Sequence, residues 1–337
     1  MITNGLFKLK VQDLLTGNEA MHACLKLAAL AAESDVPVLI LGETGTGKTL
    51  LAQAIHNSSA RSKSHFISFN ASAMSDTLLE SQLFGHERGA FTGAQKTVKG
   101  KFELADSGTL FFDEIADMSP LAQAKILRAV EYGEFERLGS ERMLQGNARI
   151  ISATNTSLRE RIRQGRFRED LYHRLAGLIL WIPPLRERAE DLPGLIAAEL
   201  DSQARFAGKK LTAIHPAAME RLLHYHWPGN LRELHHTIRT VVLFCNAQEV
   251  QPEHVVFQPA LSVAEAGGEK SAENGVFNAA STIPAPANGD DLSLTNAVWR
   301  HVRTVYQRTG GNQRQAARLL GISRARLVRH LRAMQTE

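Results

Sequence analysis

Cysteine is scarce in this 337-residue chain: Cys24 and Cys245 are its only two, far apart in sequence. They cannot form a disulfide framework, and a reducing compartment fits. No C-x-x-C or H-E-x-x-H spacing occurs. The thirteen histidines are scattered, and those near His224, His226, His235 and His236 lack ligand spacing, so no structural metal is expected. No apolar run approaches the ~20 residues that cross a bilayer, so no membrane span is expected. The N-terminus has neither an uninterrupted apolar core nor a cleavage site; no secretory signal is indicated, and a cytoplasmic location is the expectation.

What remains is the composition of a soluble globular chain, 44% hydrophobic and 22% charged, long enough for two or three domains. Its net charge of +4 is unevenly placed. From Leu292 to Glu337 there are nine Arg, no Lys and one acidic residue, a balance of +8 that leaves the rest of the chain at −4. A mildly acidic body with a strongly basic tail points to nucleic-acid binding confined to the tail.

The apolar run Val38-Leu39-Ile40-Leu41 reads as a buried parallel strand, and Leu50–Ile55 as a helix. Between them lies Gly42-Glu43-Thr44-Gly45-Thr46-Gly47-Lys48-Thr49. Strand, Gly-rich turn, Lys-Thr and helix make a P-loop: backbone N–H groups close around phosphate oxygens, and the helix N-terminus adds partial positive charge. Lys48 is expected to reach the β- and γ-phosphates, and the Thr49 hydroxyl to bind Mg²⁺. About sixty residues on, Gly108–Glu114 reads as a strand ending in two carboxylates, a Walker B pattern. Asp113 is expected to hold the Mg²⁺ shell and Glu114 to polarise the attacking water.

Further strands are expected at 65–69, 148–153 and 178–182, the second ending at Asn70 and the fourth at Thr154-Asn155. Helices are expected at 75–84, with Met74, Leu78, Leu79 and Leu83 on one side, and at 121–132; Gly133–Gly139 reads as a turn carrying Arg137. Alternating strands and helices after a P-loop give a parallel α/β sheet with helices on both faces. Residues 191–257 read as helical only, a small domain packed on the sheet. Residues 258–291 are Ala/Gly/Pro/Ser/Asn-rich without apolar period, a flexible linker. The tail resumes order: a helix over 294–309, then Asn312 as N-cap of Gln313–Leu320, a turn at Gly321-Ile322, and Ser323 capping Arg324–Met334. This is a helix-turn-helix, with Asn312, Gln313, Arg314, Ser323, Arg324, Arg326, Arg329 and His330 as expected contacts to double-stranded DNA.

The stretch Gly89-Ala90-Phe91-Thr92-Gly93-Ala94 matches the GAFTGA signature, and with it the chain resembles the bacterial sigma-54-dependent transcriptional activators, enhancer-binding proteins of the AAA+ class. Glu80–Glu87, the Walker B run, Trp227-Pro228-Gly229-Asn230-Leu231-Arg232-Glu233-Leu234 and the Fis-like tail agree, so the resemblance covers nearly the whole chain. It implies a lead at 1–36, an AAA+ α/β ATPase subdomain at 37–186, a helical lid at 187–257, the linker, and a Fis-type DNA-binding domain at 292–337. It implies an ATPase that binds an upstream DNA enhancer site and remodels the sigma-54 RNA polymerase closed complex to an open one, working as a homo-oligomer from dimer to hexameric ring, with ATP and Mg²⁺.

The resemblance also implies residue roles. Gly89–Ala94 would be a surface loop that engages sigma-54, with Phe91 and Thr92 at its tip and Arg137 in a neighbouring loop. Asn70 would be a switch on Glu114, Thr154-Asn155 sensor I, Arg168 and Arg174 arginine fingers supplied in trans, and Arg232 sensor II. Plainer readings stand beside these: Arg168 and Arg174 paired with Glu169 and Asp170, Arg232 in an ordinary lid ion pair, Phe91 as a buried anchor, Asn70 closing a turn. Many family members have Glu after the P-loop lysine where this chain has Thr49, which is closer to the general P-loop and keeps Mg²⁺ binding. About forty residues precede the P-loop, a layout like that of the phage-shock and Hrp-type activators, which lack a receiver domain. Control is therefore expected in trans, through a negative regulator, or through abundance. The rival readings are another AAA+ remodelling ATPase and a nucleotide-responsive DNA-binding regulator without productive hydrolysis.

Overall fold

The computed structural model describes residues 9–71, 75–211, 213–257, 306, 309, 312–319 and 327. The chain divides into two compact units, Met1–Val263 and Ala264–Glu337.

In the first unit, five parallel strands form one sheet in the order β2 (Phe66–Asn70), β5 (Thr109–Asp113), β8 (Arg149–Thr154), β1 (Val38–Leu41), β9 (Leu178–Trp181). Their near-continuous apolar runs are what a sheet covered on both faces requires. Alternate residues serve opposite faces. Leu39, Leu110, Phe112 and Ile150 pack under the helices Asp76–Phe84, Pro120–Tyr132 and Glu169–Leu175. Val38, Ile40, Phe111, Ile151 and Ala153 pack under Glu19–Ala32 and Lys48–Ser58. The helix Glu19–Ala32 thus shares the sheet's core; Asn18 caps it by accepting from the Met21 N–H at 3.0 Å.

Two expectations change in the sheet unit. Gly133–Gly139 is not a simple turn: β6 (Glu134–Glu136) pairs antiparallel with β7 (Met143–Gln145). Phe135 points inward from β6, and its apolar partner Leu144 lies nine residues on, too short a pattern to read as a strand from sequence. Leu78 faces outward, since Leu79 and Leu83 at i,i+4 already define the inward face of their helix; Met74 lies outside the described residues. A second hairpin, β3 (Gly85–His86) with β4 (Val98–Lys99), forms the base of the Gly89–Ala94 loop.

The lid contains the helices Leu192–Phe206, Pro216–His224 and Asn230–Phe244, packed around fully buried Trp227, whose Nε1–H donates to Leu222 O at 3.0 Å. It is not helical only: β10 (Ala213–Ile214) and β11 (Glu249–Val250) pair in parallel, tying the start of the second helix to the chain beyond the third. In the second unit, Gln313–Leu319 is helical, Asn312 Oδ1 accepts from Gln315 N–H at 3.2 Å, and Ala316, Ala317 and Leu327 are buried. Ser323, Arg324, Arg326, Arg329, His330, the linker 258–291 and the side chain of Arg314 lie outside the described residues.

Candidate active site

The C-terminal edge of the parallel sheet carries the site, where ligands of open α/β sheets bind. The P-loop leaves β1 with Gly45 at φ +82° and Gly47 at φ +101°, backbone that favours glycine. Lys48 opens the next helix, is nearly buried, and its Nζ donates to Gly42 O at 3.0 Å and Glu43 O at 3.2 Å. Thr46 Oγ1 donates to Glu43 O at 2.8 Å, closing the loop from within.

β5 delivers the two carboxylates. Asp113 Oδ2 lies 3.5 Å from Thr49 Oγ1. A hydroxyl and a carboxylate side by side beside a phosphate cradle fit Mg²⁺, which takes one or two protein oxygens and fills its shell with phosphate and water. Among the described residues no three His, Cys, Asp or Glu side chains gather into a metal cluster of another kind. Glu114 sits in the left-handed region, φ 53° and ψ 51°, a conformation that a non-glycine residue holds only when its surroundings impose it. Its Oε1 is 3.6 Å from Lys48 Nζ, and its Oε2 accepts from Asn155 N–H at 3.2 Å. Asn155 in turn donates through Nδ2 to Thr44 Oγ1 at 2.7 Å. Thr154 is buried in β8, and its Oγ1 accepts from Thr156 N–H at 3.0 Å. Asn70 ends β2 in register with Asp113.

The lid presses on the P-loop. A Cβ on Gly45 would stand 2.3 Å from Gly229 O, closer than any real contact. Asn230, fully buried at φ 54°, donates through Nδ2 to Thr44 O at 3.1 Å and Glu43 Oε2 at 3.2 Å. Arg186 holds both oxygens of Glu43, at 2.6 and 2.8 Å. That hydrogen-bonded pairing, helped by Asn230, keeps the Glu43 carboxyl below its ordinary range despite partial burial. Sequence reading missed Arg186 and the role of Asn230; Trp227–Leu234 was legible only as a stretch that agrees with the family resemblance. Arg232 is exposed beside Gly45 and has no ion-pair partner among the described residues, which removes the plain lid salt bridge.

Lys48, Thr49, Asp113, Glu114, Thr44 and Asn155 are therefore brought together; Arg168 and Arg174 are not. Arg168 pairs with Asp170 at 2.7 and 3.0 Å, and Arg174 pairs with Glu131, both at the surface.

The Gly89–Ala94 loop stands on the β3–β4 hairpin. Gly89 N–H donates to Ala94 O at 2.8 Å, and Ala94 N–H to Phe91 O at 3.0 Å. Thr92 and Gly93 are exposed, and Cβ atoms at Gly89 or Gly93 would meet nothing. Phe91 is half-buried, its ring edge-on to His86 at 5.0 Å, and His86 Nδ1 hydrogen-bonds Ser81 Oγ at 2.7 Å. The neighbouring loop packs beneath: a Cβ on Gly139 would meet the Ala90 Cβ at 2.8 Å. Arg137 is a tie rather than a free cation. It donates to Glu103 at 2.8 and 2.7 Å and to Glu87 at 2.7 Å.

The family model for the Sigma-54 interaction domain matches residues 14–180, that for the AAA+ ATPase lid domain 186–272, and that for the Fis family of bacterial regulatory proteins 302–334. The chain is 42% identical over 313 residues to the transcriptional regulatory protein ZraR of Klebsiella oxytoca, covering 93% of this chain and 67% of that protein. It is 39% identical over 320 residues to the nitric oxide reductase transcription regulator NorR2 of Cupriavidus necator, covering 94% of this chain and 61% of that protein. The crystal structure of NtrX from Brucella abortus in complex with ATP matches at a TM-score of 0.67 and 29% identity, over 98% of this chain and 71% of that one.

Proposed function

Because the chain belongs to the family of sigma-54-dependent transcriptional activators, we propose that it hydrolyses ATP and uses the hydrolysis to convert the sigma-54 RNA polymerase closed complex to an open one. The observation that carries this reading is the grouping of Lys48, Thr49–Asp113 and Glu114–Asn155 at one sheet edge.

The P-loop N–H groups and Lys48 bind the β- and γ-phosphates and orient the terminal phosphorus. Thr49 and Asp113 would hold Mg²⁺, which would supply neutralisation of phosphate charge. Glu114 orients the attacking water and draws its proton; the Asn155 N–H fixes the direction of that carboxylate. Arg168 and Arg174 act on the site of a neighbouring subunit in a homo-oligomeric ring, where a guanidinium stabilises charge on the transferring phosphoryl group. Asn70 switches Glu114, and Arg232 reports nucleotide to the lid.

Thr92 and the Phe91 edge present the Gly89–Ala94 loop to sigma-54, while Arg137 fixes its base. The basic tail, through Asn312, Gln313, Arg314, Ser323, Arg324, Arg326, Arg329 and His330, binds double-stranded enhancer DNA and raises the local concentration of subunits and polymerase. Among the described residues no helix is long and apolar enough to cross a membrane.

Steady-state turnover by the full chain beside Lys48→Ala tests the enzymatic part. We expect turnover from the parent and neither binding nor turnover from the variant. A parent that binds ATP without cleaving it would support the nucleotide-responsive regulator instead.

A further inference from the structure

A loop with glycine at 42, 45 and 47 has little intrinsic shape, yet the structure holds this one from two sides. On the sheet side Asn155 donates to the Thr44 hydroxyl at 2.7 Å. On the lid side Asn230 donates to the Thr44 carbonyl and to Glu43, and Arg186 clamps the same carboxylate with both Nη atoms. Asn230 Oδ1 also accepts from Leu185 N–H at 2.7 Å, so one buried side chain ties the P-loop to the segment that leads from the sheet into the lid. Its left-handed backbone is one that Asn tolerates better than most residues.

We propose that Glu43, Asn230 and Arg186 form a latch that holds the P-loop in its phosphate-binding shape and makes that shape depend on the seating of the lid. They are positioning residues, acting through the loop backbone. The Glu43 carboxylate is occupied by Arg186 and Asn230, and an anion turned toward the phosphates would oppose their binding. The inference rests on the reading of the P-loop as a nucleotide site.

Without the latch the loop spends most of its time in shapes that cannot cradle phosphate, and apparent affinity falls by the fraction that can. Once nucleotide has bound, Asp113 and Glu114 are where they were. The latch therefore acts on KM and Kd, not on kcat.

The test uses the full-length chain, a fluorescent ADP analogue for Kd and steady-state ATP turnover for KM and kcat. Arg186→Met keeps the aliphatic stem at a surface position, and Asn230→Asp keeps the acceptor for Leu185 N–H while removing the donor. Each is expected to raise Kd and KM about tenfold, roughly 1.4 kcal/mol, with kcat for Arg186→Met within about twofold of the parent. Glu43→Gln combined with Arg186→Met is expected to bind no more weakly than the worse single variant. Unchanged Kd in Arg186→Met, a lowered melting temperature with Kd unchanged, or additive losses in the double variant would each overturn the latch. Should Asn230→Asp fail to fold, Arg186→Met decides alone. A parent chain that binds no fluorescent ADP would instead remove the nucleotide reading, and the latch with it.

Discussion

Asn155 and Thr44 are joined by one hydrogen bond, side-chain amide to hydroxyl at 2.7 Å, which ties the end of β8 to the P-loop. The backbone N–H of the same asparagine meets Glu114 Oε2 at 3.2 Å, while Glu114 Oε1 stands 3.6 Å from the Lys48 ammonium. The carboxylate is thus aimed from the strand side across the mouth of the loop. Glu114→Gln keeps this shape but cannot take a proton. We expect turnover to fall by about 10²–10⁴-fold with nucleotide affinity within a fewfold of the parent, read by turnover and equilibrium binding on the same preparation. Retention of a tenth of the parent turnover would remove Glu114 as the base.

Arg168 and Arg174 each rest on a surface carboxylate, Asp170 and Glu131. Exposed pairs of this kind hold weakly in water, so either guanidinium can be given up to a better anion. If that anion lies in the next subunit, Arg174→Ala and Lys48→Ala are each inactive alone. Mixed together they regain turnover, because some interfaces then combine an intact P-loop with an intact arginine. A mixture as inactive as its components would place the arginine's role elsewhere.

The clamp of Arg137 on Glu103 predicts an acid dependence. The guanidinium hydrogen bonds hold the Glu103 carboxyl below its ordinary value despite partial burial. A carboxylate depressed in the folded state stabilises fully above its unfolded pKa, about 4.3, and loses that contribution as pH falls through the lower folded value. Glu103→Gln should therefore melt below the parent at pH 7, and the gap should close as pH drops below about 4. A gap independent of pH would show that the charge of Glu103 does not contribute to holding Arg137 in place.

The sheet and the glycine-rich loop after β1 were legible in sequence because their signals are local. Val38–Leu41 and Leu110–Phe112 are apolar runs, Ile150–Ala153 is one broken only by Ser152, and Gly42–Thr49 carries its own turn chemistry. The hairpins Gly85–Lys99 and Glu134–Gln145 were not, since two- and three-residue strands leave no period to read. The partners of Glu43 lie more than 140 positions away, at Arg186 and Asn230, and no spacing in the sequence announces a contact of that range. Arg137 was legible as a loop residue, but its hold on Glu87 and Glu103 depends on its segment folding against the base of the Gly89–Ala94 loop and the short helix Lys101–Leu104.

The loop claim is met most directly by trapping. The full-length chain is incubated with ADP and aluminium fluoride, a mimic of the transferring phosphoryl group, and assayed for a stable complex with purified sigma-54. We expect the parent to form the complex, and Thr92→Ala to form none while still cleaving ATP, since Thr92 is exposed on the Gly89–Ala94 loop and makes no hydrogen bond to the P-loop residues. A parent that cleaves ATP but never holds sigma-54, or a Thr92→Ala variant that holds it as well as the parent does, would contradict the coupling of hydrolysis to that loop.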